Sequence, residues 1–134
     1  MALLSQPVDN SHKMTKKILI LDDDADILDM LAYLLTESGY EVSTMLRGDR
    51  VLETIRSFHP DLILMDVMLA NLDGRVICRG LKAQPETNAL PVILISGTHD
   101  LSESLNQKGA PNDFVAKPFD IEYLLKKIEF QLAA

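Results

Sequence analysis

The sequence holds a single cysteine, Cys78, so no disulfide can close within the chain. No Cys/His cluster has metal-ligand spacing, which removes the zinc-site classes. Long apolar runs are also missing. The longest aliphatic stretches, Ile18 to Leu21 and Leu62 to Met65, are about a fifth of what a membrane-spanning helix needs. The opening Met-Ala-Leu-Leu-Ser-Gln-Pro has neither a basic leader nor a long apolar segment, so no membrane association and no secretory signal are expected, and the expected location is cytoplasmic. Positive charge is in deficit. Thirteen Lys and Arg against twenty Asp and Glu leave a net charge of −7, the wrong sign for holding nucleic acid by its phosphates, so no direct nucleic-acid contact is expected.

What is present fits one compact domain: 134 residues, 47% apolar and 25% charged, enough to bury a single core without staples. Residues 1 to 15 are aperiodic and read as a flexible tail, leaving 16 to 134 as the domain. Short apolar runs then alternate with helix-period segments. Ile18 to Leu21, Glu41 to Met45, Asp61 to Met65, Val92 to Ile95 and Asp113 to Ala116 read as strands. Helical stripes run through Ile27, Leu31, Leu34 and Leu35, with Gly39 as the stop; through Val51, Leu52 and Ile55; and through Val76, Ile77 and Leu81 after an Asp73-Gly74 turn. Leu101 and Leu105 mark a weaker fourth helix, and Ile121, Leu124, Leu125, Ile128 and Leu132 a strong fifth with Asp120 as N-cap. Five strands alternating with five helices predict an α/β fold, a doubly wound (βα)5 arrangement with a central five-stranded parallel sheet and helices on both faces. In such folds ligands gather beyond the carboxyl ends of the strands.

The residues at those ends are Asp22 and Asp23 after the first strand, Asp66 after the third, Ser96 after the fourth and Lys117-Pro118 after the fifth. Anions about 5 Å apart repel by about 3 kcal/mol per pair at an effective dielectric near 20, so three converging carboxylates invite a divalent cation. Hard oxygen ligands make Mg2+ the natural one. Helix starts favour Asp, which accounts for Asp24 and Asp26 as capping and dipole-compensating residues. It does not account for Asp22, Asp23 and Asp66, which close aliphatic strands.

Four segments together resemble the receiver domains of two-component response regulators, whose fold is flavodoxin-like. They are Lys16 to Asp24; Leu62 to Met68 with Leu72-Asp73-Gly74; Val92 to Gly97; and Phe114 to Phe119. The resemblance covers about residues 16 to 132. It implies that Asp66 is the phosphorylated nucleophile, that Asp22, Asp23, Asp66 and the backbone carbonyl of Met68 hold the Mg2+, and that Lys117 and Ser96 complete the catalytic set. It further implies a switch in which Ser96 turns toward the phosphoryl oxygens and Phe114 rotates inward. The implied partners are a sensor histidine kinase or a histidine phosphotransfer protein, and an unknown downstream protein target. The chain is expected as a monomer or a phosphorylation-dependent dimer, with no enzymatic activity beyond its own phosphorylation and autodephosphorylation.

Some positions depart from the family pattern. Ala70 stands where the phosphoacceptor loop usually has proline, which predicts a less rigid loop. Met68 and Thr98 occupy positions that tune dephosphorylation. A thioether cannot orient an attacking water as an amide or carboxylate can, so a persistent phosphoryl group is expected. His12, His59 and His99 read as surface residues, His99 being the one near the site, and Cys78 as a half-buried packing thiol. Two rival functions are weaker. An aspartyl phosphohydrolase commonly carries a second acid two residues after its nucleophile, where this chain has Met68. A pseudo-receiver, a binding module not regulated by phosphorylation, would not need Asp22, Asp23, Asp66, Ser96 and Lys117 together. The chain ending soon after the fifth helix suggests a stand-alone receiver, although an excerpt of a longer regulator would look the same.

Overall fold

The computed structural model describes residues 15–70, 72–97 and 107–133. Along the chain run β1 (Lys17–Leu21), α1 (Ala25–Glu37), β2 (Glu41–Met45), α2 (Val51–Phe58), β3 (Leu62–Asp66), β4 (Met68–Leu69), β5 (Leu72–Asp73), α3 (Gly74–Lys82), β6 (Val92–Ser96), β7 (Asp113–Ala116) and α4 (Ile121–Ala133). Five strands form one sheet in the order β2-β1-β3-β6-β7, every pair parallel. This is the expected sheet, and its strand bounds lie within a residue of those read from the sequence. The two-residue strands β4 and β5 pair antiparallel in a small ribbon that hydropathy did not foresee.

The pleat sorts side chains onto two faces. Ile18, Ile20, Leu62, Leu64, Ile93, Ile95 and Val115 pack with Leu28, Leu31 and Leu35 of α1 and Leu124 and Ile128 of α4. Leu19, Leu21, Ile63, Met65, Val92 and Leu94 pack on the other face with Val51 and Ile55 of α2 and Cys78 and Leu81 of α3. The sheet is therefore covered on both sides, which is why β1, β3 and β6 are buried almost throughout.

Helix ends follow local chemistry. The Asp24 carboxylate accepts the N–H groups of Asp26 and Ile27 and starts α1, and Gly39, at φ +100°, follows its C-cap Ser38. Asp120 accepts the N–H of Glu122 at 3.0 Å at the start of α4. Three expectations need correction. Asp73 is not a turn residue ahead of α3 but its N-cap, accepting the N–H of Arg75 at 2.8 Å. Val76 faces outward, because α3 buries Gly74, Cys78 and Leu81 instead. Cys78 is fully rather than half buried, and burial pushes its thiol up to about 11. The tail residues 1–14, and the fourth helix with Leu101 and Leu105, lie outside the described residues.

Candidate functional site

The strand order places β1 and β3 side by side at the middle of the sheet, with β6 and β7 beyond. Each ladder runs one residue past its strand. The Asp22 N–H bonds Met45 O at 3.1 Å and the Lys117 N–H bonds Ser96 O at 2.8 Å. Because side chains alternate along an extended chain, positions 22, 66 and 117 keep the facing of Ile20, Leu64 and Val115, and so meet.

They do meet. The ammonium of Lys117 lies 2.7 Å from Asp66 Oδ2 and 3.5 Å from Asp22 Oδ2. Oxygens of Asp22, Asp23 and Asp66 all lie within 4.8 Å of one another. Asp22 and Asp66 are buried while Asp23 is exposed, so the cluster opens to solvent on one side. Backbone donors hold the carboxylates from behind: the Asp24 N–H on Asp22 Oδ1 at 2.9 Å, the Met68 N–H on Asp66 Oδ1 at 3.0 Å, and the Ala70 N–H on Asp23 Oδ2 at 3.2 Å.

The electrostatics are uncompensated. Burial, and then the charge of Asp66, push Asp22 from its ordinary 3.8 up to about 6, against the lowering effect of the Asp24 N–H and of Lys117. Burial works against the charge of Lys117, but its hydrogen bond to Asp66 and the two neighbouring carboxylates override that and raise its pKa. Asp22 Oδ2 is buried and receives no hydrogen bond. Three carboxylates gathered around one ammonium leave negative charge in excess, and an orphaned, buried oxygen among them is what a hard divalent cation would satisfy. The donor set thus fits Mg2+.

Ser96 is buried at the end of β6, on the sheet face of Leu94. Phe114 is partly buried, pairs in register with Leu94, and packs against the α2/α3 side of the core. Ser96 and Phe114, the residues expected to form a switch, therefore share a face, two positions apart along the sheet. His59 is exposed at the end of α2; His12, His99 and Thr98 lie outside the described residues. Two features escaped the sequence reading. One is the Ala70 N–H on Asp23, noted only as a missing proline. The other is the closeness of Gly74 to the carbonyl oxygen of Asp66, which a Cβ at position 74 would overlap; the Asp-Gly pair was its only trace.

The model of the response regulator receiver domain matches residues 18–129, and the chain belongs to that family. It is 35% identical over 121 residues to the phosphate regulon transcriptional regulatory protein PhoB of Rhizobium meliloti, an alignment covering 89% of this chain and 53% of that protein. To the DNA-binding response regulator MtrA of Mycobacterium tuberculosis it is 29% identical over 120 residues, covering 89% and 51%. The chain spans about half the length of these curated relatives. Among solved structures it resembles a CheY-like receiver domain protein from Methanospirillum hungatei, with TM-score 0.79, 29% identity and 89% and 94% of the two chains covered. The BeF3-activated receiver domain of Klebsiella pneumoniae RstA matches at TM-score 0.78 and 29% identity, covering 89% and 100%. The chain is a receiver domain of two-component signalling, whose standard role is phosphorylation-regulated.

Proposed function

We propose that Asp66 accepts a phosphoryl group from a phosphohistidine on a sensor histidine kinase or histidine phosphotransfer protein, and that the resulting acyl phosphate resets the surface that a downstream protein reads. The observation that carries this reading is the meeting of three carboxylates within 4.8 Å beside a lysine ammonium 2.7 Å from Asp66. A carboxylate oxygen of Asp66 attacks phosphorus, the P–O bond forms as the P–N bond breaks, and the imidazole leaves with the electron pair. Lys117 neutralises charge on the transferring oxygens, and the hydroxyl of Ser96 would donate to one of them in the product. Asp22, Asp23, Asp66 and the Met68 carbonyl would hold Mg2+, which supplies positive charge to the phosphoryl oxygens when bound.

A partner must bring its imidazole to Asp66 over the rim of the site. Beside Lys117 lies an apolar hollow of about 430 Å³ lined by Ile27, Met30, Gly97, Pro118 and Phe119. Met30 and Tyr33 stand exposed on the neighbouring helix α1. This surface would seat the phosphodonor. On the other rim Met68 is 59% exposed. Its thioether orients no water, so the acyl phosphate outlasts that of a Met68→Glu variant, as a time course of phosphoryl loss would read. The same five polar side chains count against a module that ignores phosphorylation.

The test is incubation with acetyl phosphate, with magnesium or with chelator, followed by intact mass. The expected result is one phosphoryl group on wild type only when magnesium is present, and none on Asp66→Ala. A gain that survives Asp66→Ala would remove Asp66 from its role.

A further inference from the structure

Of the five arginines, four are paired with carboxylates: Arg47 with Asp49 at 3.6 Å, Arg50 with Glu53 at 3.5 Å, Arg56 with Glu86 at 2.8 Å and Arg75 with Asp73 at 2.7 Å. In a chain of net charge −7 that is the expected condition. Arg79 differs: among the described residues it has no carboxylate partner. It opens instead into a hollow of about 240 Å³ that it lines with Lys82, Ala83, Lys108 and Gly109. Among the described residues, three cations and no anion bound this space.

The walls are built. Gly109, at φ +77°, lays its backbone on the stem of Arg79, so closely that a Cβ there would stand 3.1 to 3.3 Å from Arg79 atoms, and Cys78 Sγ reaches Gly109 O at 3.6 Å. The ammonium of Lys82 is fixed by Leu90 O at 2.8 Å and Asn112 Oδ1 at 2.7 Å. Its charge stays in the wall while its donors are committed. Basic residues in the last turn of α3 complement the helix dipole, which accounts for Lys82 and for the position of Arg79. It does not account for Lys108, which comes from a different segment and, among the described residues, joins them with no acidic partner. Arg79 and Lys108 are both exposed, with donors available.

We propose that this hollow docks an acidic peptide segment of a partner protein. One carboxylate would be taken in the plane of the Arg79 guanidinium and a second by Lys108, with an apolar side chain between them against Ala83 and the lysine and arginine methylenes. The mixed lining favours this ligand over a bare anion, which would use the charges and leave the apolar walls wet. The site is separate from the phosphoacceptor: α3 starts at Gly74 beside Asp66 and carries Arg79 and Lys82 toward its far end, about 8 and about 12 Å along its axis.

The test is an amide-resonance titration of the full chain with a capped peptide alternating Glu and Leu, run against its Gln counterpart and against inorganic phosphate. Saturable shifts confined to residues 79–83 and 107–110, weakened by added salt, are expected with the Glu peptide alone. Arg79→Gln and Lys108→Gln keep the aliphatic stems and should each weaken binding by roughly threefold while leaving the remaining spectrum and phosphoryl uptake unchanged. An equal response to the Gln peptide, a stronger one to phosphate, or no response would overturn the proposal. So would a salt-sensitive self-association that Arg79→Gln abolishes, which would give the hollow to a second copy of the chain.

Discussion

Asp22 shows what the site costs in the absence of a cation. Its pKa in the fold, about 6, lies above the ordinary 3.8, so between those values the folded chain keeps a proton that the unfolded chain has released. The stabilisation from that proton is complete below the unfolded value and is lost as pH rises through about 6. Asp22→Asn cannot ionise. In chelator it should match wild type in acid and exceed it in stability by up to about 3 kcal/mol in alkaline buffer, as urea melts across pH would show, and it should bind Mg2+ more weakly. A difference independent of pH would contradict this. Ala70 makes a second residue-scale case. It holds φ +27° and donates its N–H to Asp23. Proline there would lack that donor and require φ near −65°, so Ala70→Pro should lose more than about 1 kcal/mol relative to Ala70→Gly in the same melts. The carboxylates were legible in the sequence because Asp at the end of an aliphatic strand has no other purpose there. The Ala70 amide was not, since every residue but proline has one and only the loop's path aims it.

At the scale of elements, α3 docks its first residue against the end of β3, the strand that closes on Asp66. The Gly74 N–H bonds Val67 O at 2.8 Å, and a Cβ at 74 would overlap Asp66 O and press on Val67 Cα. These are backbone atoms that cannot swing aside, so Gly74→Ala should cost about 1 to 3 kcal/mol and slow phosphoryl uptake. A Gly74→Ala protein with unchanged melting and uptake would show that α3 is not seated this tightly. At the far end of α2, His59 closes the helix at φ 56° and ψ 59°, the left-handed cap that glycine fills without strain. His59→Gly should gain about 0.5 to 1 kcal/mol in thermal melts with phosphorylation untouched. The sequence predicted the helices through their apolar stripes, and missed β4 and β5 because two residues cannot display a period. It also misjudged the facing of Val76. With Cys78 and Leu81 buried three apart, the stripe on α3 runs through a cysteine that hydropathy alone does not favour over valine.

For the molecule as a whole, the topology was legible because strand and helix periods alternate cleanly, and two fully buried β-strands, β3 and β6, can only be central. The convergence of Asp22, Asp66 and Lys117 then follows from the parity of their positions along three parallel strands. The 3.5 Å and 2.7 Å approaches of the ammonium, and the orphaned Asp22 oxygen, are products of tertiary packing that no local pattern encodes. The central claim is that those groups form one cation-dependent phosphoacceptor. Its most direct measurement is a crystal structure of the chain with magnesium and beryllium fluoride. Beryllium bonded to a carboxylate oxygen of Asp66, one Mg2+ among Asp22, Asp23 and Asp66, and Lys117 and Ser96 on the fluorines is the predicted result. Beryllium fluoride on another residue, or a magnesium ion seated away from the three carboxylates, would contradict it.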